Sequence, residues 1–199
     1  MRAFCMDAPN LVRWQDADLQ HGDVLQYRGS SLISSWIRYV TGGVHTHSAM
    51  LRIDRLGRAD VLEIREFIGG RAVPLLGHVV QCPGQIDVFR PRLEIFPHYD
   101  TDAAVGVMRD LTARSYGYRG IARLALQRVP FLWRLVRLST DDLTDRTRPP
   151  AAPFCSHAVA HACREGGGVD PVPRKPDDLV TPTDLTWSLL FDYVCTLTV

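Results

Sequence analysis

Thr46-His47-Ser48-Ala49-Met50-Leu51-Arg52-Ile53, the turn Asp54-Arg55-Leu56-Gly57, and Asp60-Val61-Leu62-Glu63-Ile64-Arg65 decide the fold class of this chain. Both outer segments are rich in apolar and β-branched residues, and the link between them is short. That combination predicts an antiparallel hairpin, because parallel strands would need a long crossover. The pattern extends to either side. Gly69-Gly70 separates the hairpin from a strand over Arg71 to Leu75, and Ile86 to Arg90 reads as a further strand stopped by Pro91. Upstream, Gly22-Asp23 punctuates the start of Val24-Leu25-Gln26-Tyr27, and a last strand runs from Phe191 to Leu197.

Helical spacing appears between these segments. Leu32, Ile33, Trp36, Ile37 and Val40 recur at helical period after a capping Ser30 or Ser31, and Gly42-Gly43 ends the run. Tyr99 to Ser115 repeats through Ala103, Val107, Met108 and Leu111. The apolar, arginine-bearing stretch Ile121 to Leu138 is split by Pro130 into two short helices. A helix is predicted from about Phe154 to Arg164, with Ala158, Val159 and Ala162 as its buried stripe and Gly166-Gly167-Gly168 as its stop. Thr181-Pro182-Thr183-Asp184-Leu185 opens another, with proline early in the first turn. Helices and antiparallel strands segregate along the chain, which makes the class α+β rather than a repeated βαβ pattern. We expect a small antiparallel sheet packed against helices in one domain over residues 1–199, the first 21 being a poorly patterned leader.

Composition narrows the function. The 199 residues are 46% hydrophobic and 23% charged, which excludes a disordered chain or a small disulfide scaffold. A net charge of +1 gives no global attraction to nucleic acid, and no such partner is expected. No apolar run reaches the roughly 18 residues of a membrane span. The N-terminal residues lack the apolar core of a secretory signal, so a cytoplasmic location is expected, with delivery by another route left open. The 5 cysteines (Cys5, Cys82, Cys155, Cys163, Cys195) are odd in number and scattered, which fits free thiols.

Cys155 is the most informative of them. It lies between a proline-rich loop and a helix start, where unpaired backbone N–H groups favour a thiolate. A nucleophilic thiol also needs a base and a group to orient that base. His47 on the first strand of the hairpin is the best base, and Glu63 on the second strand is placed to fix its tautomer. His45 is its rival, expected on the same strand face at i, i+2.

The order Gly22-Asp23-Val24-Leu25, Thr46-His47-Ser48-Ala49-Met50, Val61-Leu62-Glu63 and Phe154-Cys155-Ser156 resembles the circularly permuted, YiiX-like branch of the NlpC-type papain-like cysteine peptidases. The lecithin–retinol acyltransferases are more distant relatives of that branch. Tyr116-Gly117-Tyr118 and Thr181-Pro182-Thr183-Asp184-Leu185 are similar to its tyrosine turn and its Pro-x-Asp-Leu segment. His47 precedes Cys155, as the permuted order requires. His157 stands where the family usually has glutamate. The resemblance implies a papain-like fold and a thiol that attacks an amide or ester carbonyl. It casts Cys155 as nucleophile, His47 as base and then acid, and Glu63 as orienter. It also implies an oxyanion site at the Cys155 N–H and the Tyr118 hydroxyl. The substrate would be a cell-wall peptide, a peptidoglycan fragment or an isopeptide, and no cofactor is needed. Two rivals remain, a thiol acyltransferase or lipid esterase with the same triad and a non-enzymatic binding module.

Two places carry metal-ligating residue types. Cys155, His157, His161 and Cys163 crowd one helix, but the cysteines fall off the arc shared by the histidines. His45 and His47 with Glu63 form another candidate set. Surface or core histidines are the simpler reading. The Ile121 to Leu138 stretch invites a contact with lipid or an acyl chain, against the plainer reading of core helices whose arginines reach solvent.

Overall fold

The computed structural model describes residues 9–29, 38, 42–65, 68–113, 153–173 and 175–199. The strand β2 (Val24–Tyr27) lies between β3 (His47–Ile53) and β6 (Ile86–Pro91), antiparallel to both. Beyond β3 the chain adds β4 (Ala59–Arg65) and then β5 (Gly69–Pro74), each antiparallel to its neighbour. On the other side β7 (Phe191–Thr198) pairs antiparallel with β6, and β1 (Leu11–Arg13) closes that edge parallel to β7. The result is one 7-stranded sheet in the order β1-β7-β6-β2-β3-β4-β5.

The hairpin expected at residues 46–65 is present with Ala49 opposite Glu63 and Leu51 opposite Val61. One strand is added to the expected sheet: part of the supposed leader supplies β1, whose parallel pairing with β7 makes the sheet mixed. That strand is too short to show alternation, and its backbone partner is remote in sequence. The strand expected over Arg71 to Leu75 also ends earlier. Pro74 closes the ladder, and Leu75 begins the helix α1 (Leu75–Gln81), which buries Leu75, His78 and Val79.

Three more α-helices occur among the described residues: α2 (Thr101–Leu111), α3 (Cys155–His161) and α4 (Pro182–Thr186). Asp100 caps α2 by accepting from the Ala103 N–H. The helix predicted to reach Arg164 changes character at Ala162, where a π-helical turn runs to Gly166. A Cβ at Gly166 would come 2.4 Å from the Ala103 carbonyl oxygen, so this glycine lets the turn press against α2. Thr181 and Asp184 form a reciprocal capping box on α4, with Pro182 in its first turn. The helix expected after Ser30, the Tyr116-Gly117-Tyr118 turn and the Ile121 to Leu138 stretch lie outside the described residues, Arg38 alone excepted.

The sheet has a core on each face. Val24, Met50, Leu62 and Ile64 pack with Ala104, Met108, Ala158 and Val159 of α2 and α3. Leu25, Ala49, Leu51 and Val61 pack on the opposite side with Leu75 and Val79 of α1. No described helix is long and apolar enough to cross a membrane.

The Gly22-Asp23 opening has a structural reason. Gly22 adopts φ +86°, and a Cβ there would sit 2.2 Å from Thr101 Cγ2. Asp23 is fully buried and accepts from Arg90 Nε at 3.0 Å and from the Gln20 N–H at 2.8 Å. Gly22→Ala is therefore expected to destabilise the protein by roughly 1–3 kcal/mol through backbone strain and steric contact. A urea titration tests this, and an unchanged midpoint would refute it.

Candidate active site

His47 is the first residue of β3, so its ring stands at the end of the sheet. Because Ala49 faces Glu63, His47 is the diagonal neighbour of Glu63 on the same face. Its Nε2 lies 2.7 Å from Glu63 Oε2. Tyr27, the register partner of His47 on β2, places its ring centroid 5.2 Å from the imidazole.

Cys155 is the first residue of α3, preceded by the extended Phe154. The side chain is buried, and its sulfur acts electrostatically on the His47 ring. Ser156 anchors the start of the helix by donating its hydroxyl to the Val180 carbonyl at 2.7 Å. Thus the sequence-predicted Cys155, His47 and Glu63 come together from a helix start and two adjacent strands. Tyr118 lies outside the described residues.

Electrostatics favour a charged imidazole. Burial opposes the imidazolium, but the Cys155 sulfur and the Glu63 carboxylate outweigh it and raise the His47 pKa to about 10. Burial likewise opposes ionisation of Glu63, yet His47, His78 and Arg71 bring its pKa down to about 2. A cation therefore sits between the thiol and the carboxylate across the neutral range.

Glu63 is only 1% exposed, and its second oxygen is also occupied. Arg71, directly opposite on β5, donates Nε to Oε1 at 2.7 Å. His78 of α1 places Nε2 3.5 Å from the same oxygen and Nδ1 3.1 Å from the Tyr27 hydroxyl. Burial lowers the His78 pKa, which disfavours its charged form. Sequence reading missed Arg71, His78 and Tyr27. Cross-strand pairing offered a signal for Arg71, since a basic residue was available on the strand following Glu63. His78 had none, because α1 was not anticipated.

The expectation that His45 and His47 share a strand face is corrected. The strand begins at His47, so the i, i+2 alternation does not reach His45. Instead, His45 Nε2 lies 2.7 Å from Asp87 Oδ2, and Nδ1 lies 3.1 Å from the Thr186 hydroxyl. Asp87 also accepts from Arg28 Nε at 2.8 Å and from Thr196 Oγ1 at 2.6 Å. This second buried network ties β6, β7 and α4 together.

Cys163, His157 and His161 have partners of their own. Cys163 accepts from the Tyr99 hydroxyl at 3.3 Å, and burial raises its pKa to about 12. His157 packs edge-on to Phe154, and burial lowers its pKa to about 4. His161 Nδ1 lies 3.6 Å from Asp177. Among the described residues, no group of three or more His, Cys, Asp or Glu side chains is placed to hold a metal ion.

The chain matches no protein-family model, and no curated protein matches it in sequence. Among solved structures it is similar to the metalloprotein YiiX from Escherichia coli O157:H7, a DUF1105 protein. The two share 13% identity over 90% of this chain and 98% of that chain, with a TM-score of 0.61. The likeness is one of architecture, and the chain has an α+β fold similar to that of YiiX.

Proposed function

We propose that this protein is a cysteine hydrolase that cleaves an amide bond through Cys155, His47 and Glu63. One observation carries the reading: the imidazole of His47 places Nε2 2.7 Å from Glu63 Oε2, and the Cys155 sulfur and the Glu63 carboxylate together raise its pKa to about 10. A nucleophile, a base and an orienting carboxylate in that sequence constitute a thiol-activating device.

In the proposed reaction the Cys155 thiolate attacks the carbonyl carbon, forming a C–S bond and moving the π pair onto oxygen. N–H groups of the first turn of α3, which have no carbonyl partner within the helix, provide donors for that oxyanion. As the intermediate collapses, His47 Nδ1 gives its proton to the leaving nitrogen and the C–N bond breaks. His47 then removes a proton from water, whose oxygen attacks the thioester. The carboxylic acid leaves, and the thiolate–imidazolium pair is restored. Glu63 holds the ring in place and remains ionised throughout.

The substrate class follows from the same resemblance as the triad: a cell-wall peptide or an isopeptide. The permuted NlpC-type assignment belongs to this proposal, with support from the order His47 before Cys155 and from the YiiX-like fold. Alkylation at limiting iodoacetamide between pH 5 and 8, mapped by mass spectrometry, tests the pairing. His47 is protonated below about pH 10, so the imidazolium persists across this whole window. Cys155 is expected to label first even at pH 5, and His47→Ala to remove that preference. Equal labelling of Cys155 and Cys195 would overturn the proposal.

A further inference from the structure

We infer that Arg71 is a positioning residue for the candidate site, acting through Glu63 on the His47 ring. The inference rests on the proposed Cys155–His47–Glu63 function and extends it beyond three residues. The two carboxylate oxygens of Glu63 have separate duties. Oε2 faces His47 Nε2 at 2.7 Å, while Oε1 accepts Arg71 Nε at 2.7 Å and faces His78 Nε2 at 3.5 Å. A carboxylate bonded through one oxygen alone can swing about its terminal torsion, which is broad and nearly two-fold. With Oε1 clamped, Oε2 stays aimed at the ring.

Arg71 is suited to this task by its place in the sheet. It is the register partner of Glu63 on β5, so its guanidinium is delivered by the backbone rather than by a flexible loop. Its side chain retains 28% exposure, against 1% for Glu63, and solvent offsets part of the cost of placing a cation there. His78 backs the same oxygen from α1. The Tyr27 hydroxyl can donate to its Nδ1, which directs the Nε2 proton toward Glu63. Cys155, His47, Glu63 and Arg71 thus form a row of alternating charge. Arg65 and Cys82 also act electrostatically on Tyr27, at the margin of this group.

An Arg71→Met variant of the full chain tests the inference, with Arg71→Lys as the conservative variant and Arg52→Met as a control. Arg52 pairs with Asp60 elsewhere in the β3–β4 hairpin. Two quantities are read: the iodoacetamide rate at Cys155 and the downfield proton resonance of the His47 Nε2–H. Arg71→Met is expected to slow labelling by about 10-fold or more, the lower end of what outer partners of an oriented ligand contribute. It should also abolish the resonance. Arg71→Lys should restore both in large part, and Arg52→Met should leave both unchanged. Wild-type rates and an intact resonance in Arg71→Met would overturn the inference. If that variant does not fold, Arg71→Gln, which keeps a polar side chain without the charge, is judged by the same criteria. If wild-type Cys155 labels no faster than Cys195, the hydrolase reading fails. The resonance still decides the role of Arg71: loss in Arg71→Met supports it, and persistence refutes it.

Discussion

Cys155→Ala is expected to abolish turnover, with a loss on the order of 10⁶-fold against any amide or ester that the wild-type protein cleaves. The sulfur is the only atom of the protein that forms a bond to substrate carbon in the proposed cycle. Without it, His47 and the first-turn N–H groups provide only residual binding and polarisation. Alanine loses little from the surroundings, because the neighbouring Ala158 and Val159 already define the packing of α3. The thermal midpoint should therefore change far less than activity. Turnover on a panel of peptide amides and long-chain esters, measured alongside the melting curve, checks both halves. Activity that survives Cys155→Ala would remove the cysteine mechanism and favour a binding module. Thiol-dependent activity on long-chain esters alone would favour the acyltransferase or esterase alternative.

The second large effect is expected at Glu63. Glu63→Leu removes the carboxylate that faces His47 and leaves Arg71 without its partner. Turnover should fall by about 10³- to 10⁴-fold, comparable to disrupting the orienting member of other triads. Stability should fall as well, by about 3–5 kcal/mol, the usual cost of leaving one half of a buried ion pair. The pH dependence separates this charge effect from simple packing. The Glu63 pKa is lowered from 4.5 to about 2 in the folded protein, so its stabilisation is fully present above 4.5 and is lost as pH falls toward 2. The gap in urea midpoint between wild type and Glu63→Leu should therefore be wide at pH 7 and narrower at pH 3. A gap independent of pH would show that packing, not charge, is what Glu63 contributes.

The site was legible in the sequence where chemistry coincided with punctuation. Cys155 stood out because prolines preceded it and a helical stripe followed. His47 and Glu63 stood out because one hairpin carried both. The register that makes them neighbours follows from the turn and the alternation of Ala49, Leu51 and Val61, which face one core. Arg71 and His78 were hidden for different reasons. Arg71 acquires meaning only once β5 is aligned with β4, and a one-residue slip would have turned it to the other face. His78 lies on a single seven-residue helix with a glycine and two valines, a composition that carries little helical signal. β1 is three residues long and depends on a strand from the far end of the chain, so no local pattern announces it. The π turn at Ala162 is a change in hydrogen-bond pairing, to which hydrophobic periodicity is blind.

His47 and Glu63 share a hairpin, whereas Cys155 arrives on a helix from much later in the chain. Closing the hairpin fixes a short loop and costs little entropy, but docking α3 must close a far longer one. Base and carboxylate can therefore meet early in folding, while the thiol gains its partner only when the two ends of the architecture are assembled. The reactivity of Cys155 becomes a gauge of tertiary completion. A chain whose hairpin is intact but whose α3 has come away would retain most of its strands and yet lack the proposed pairing of Cys155 with His47.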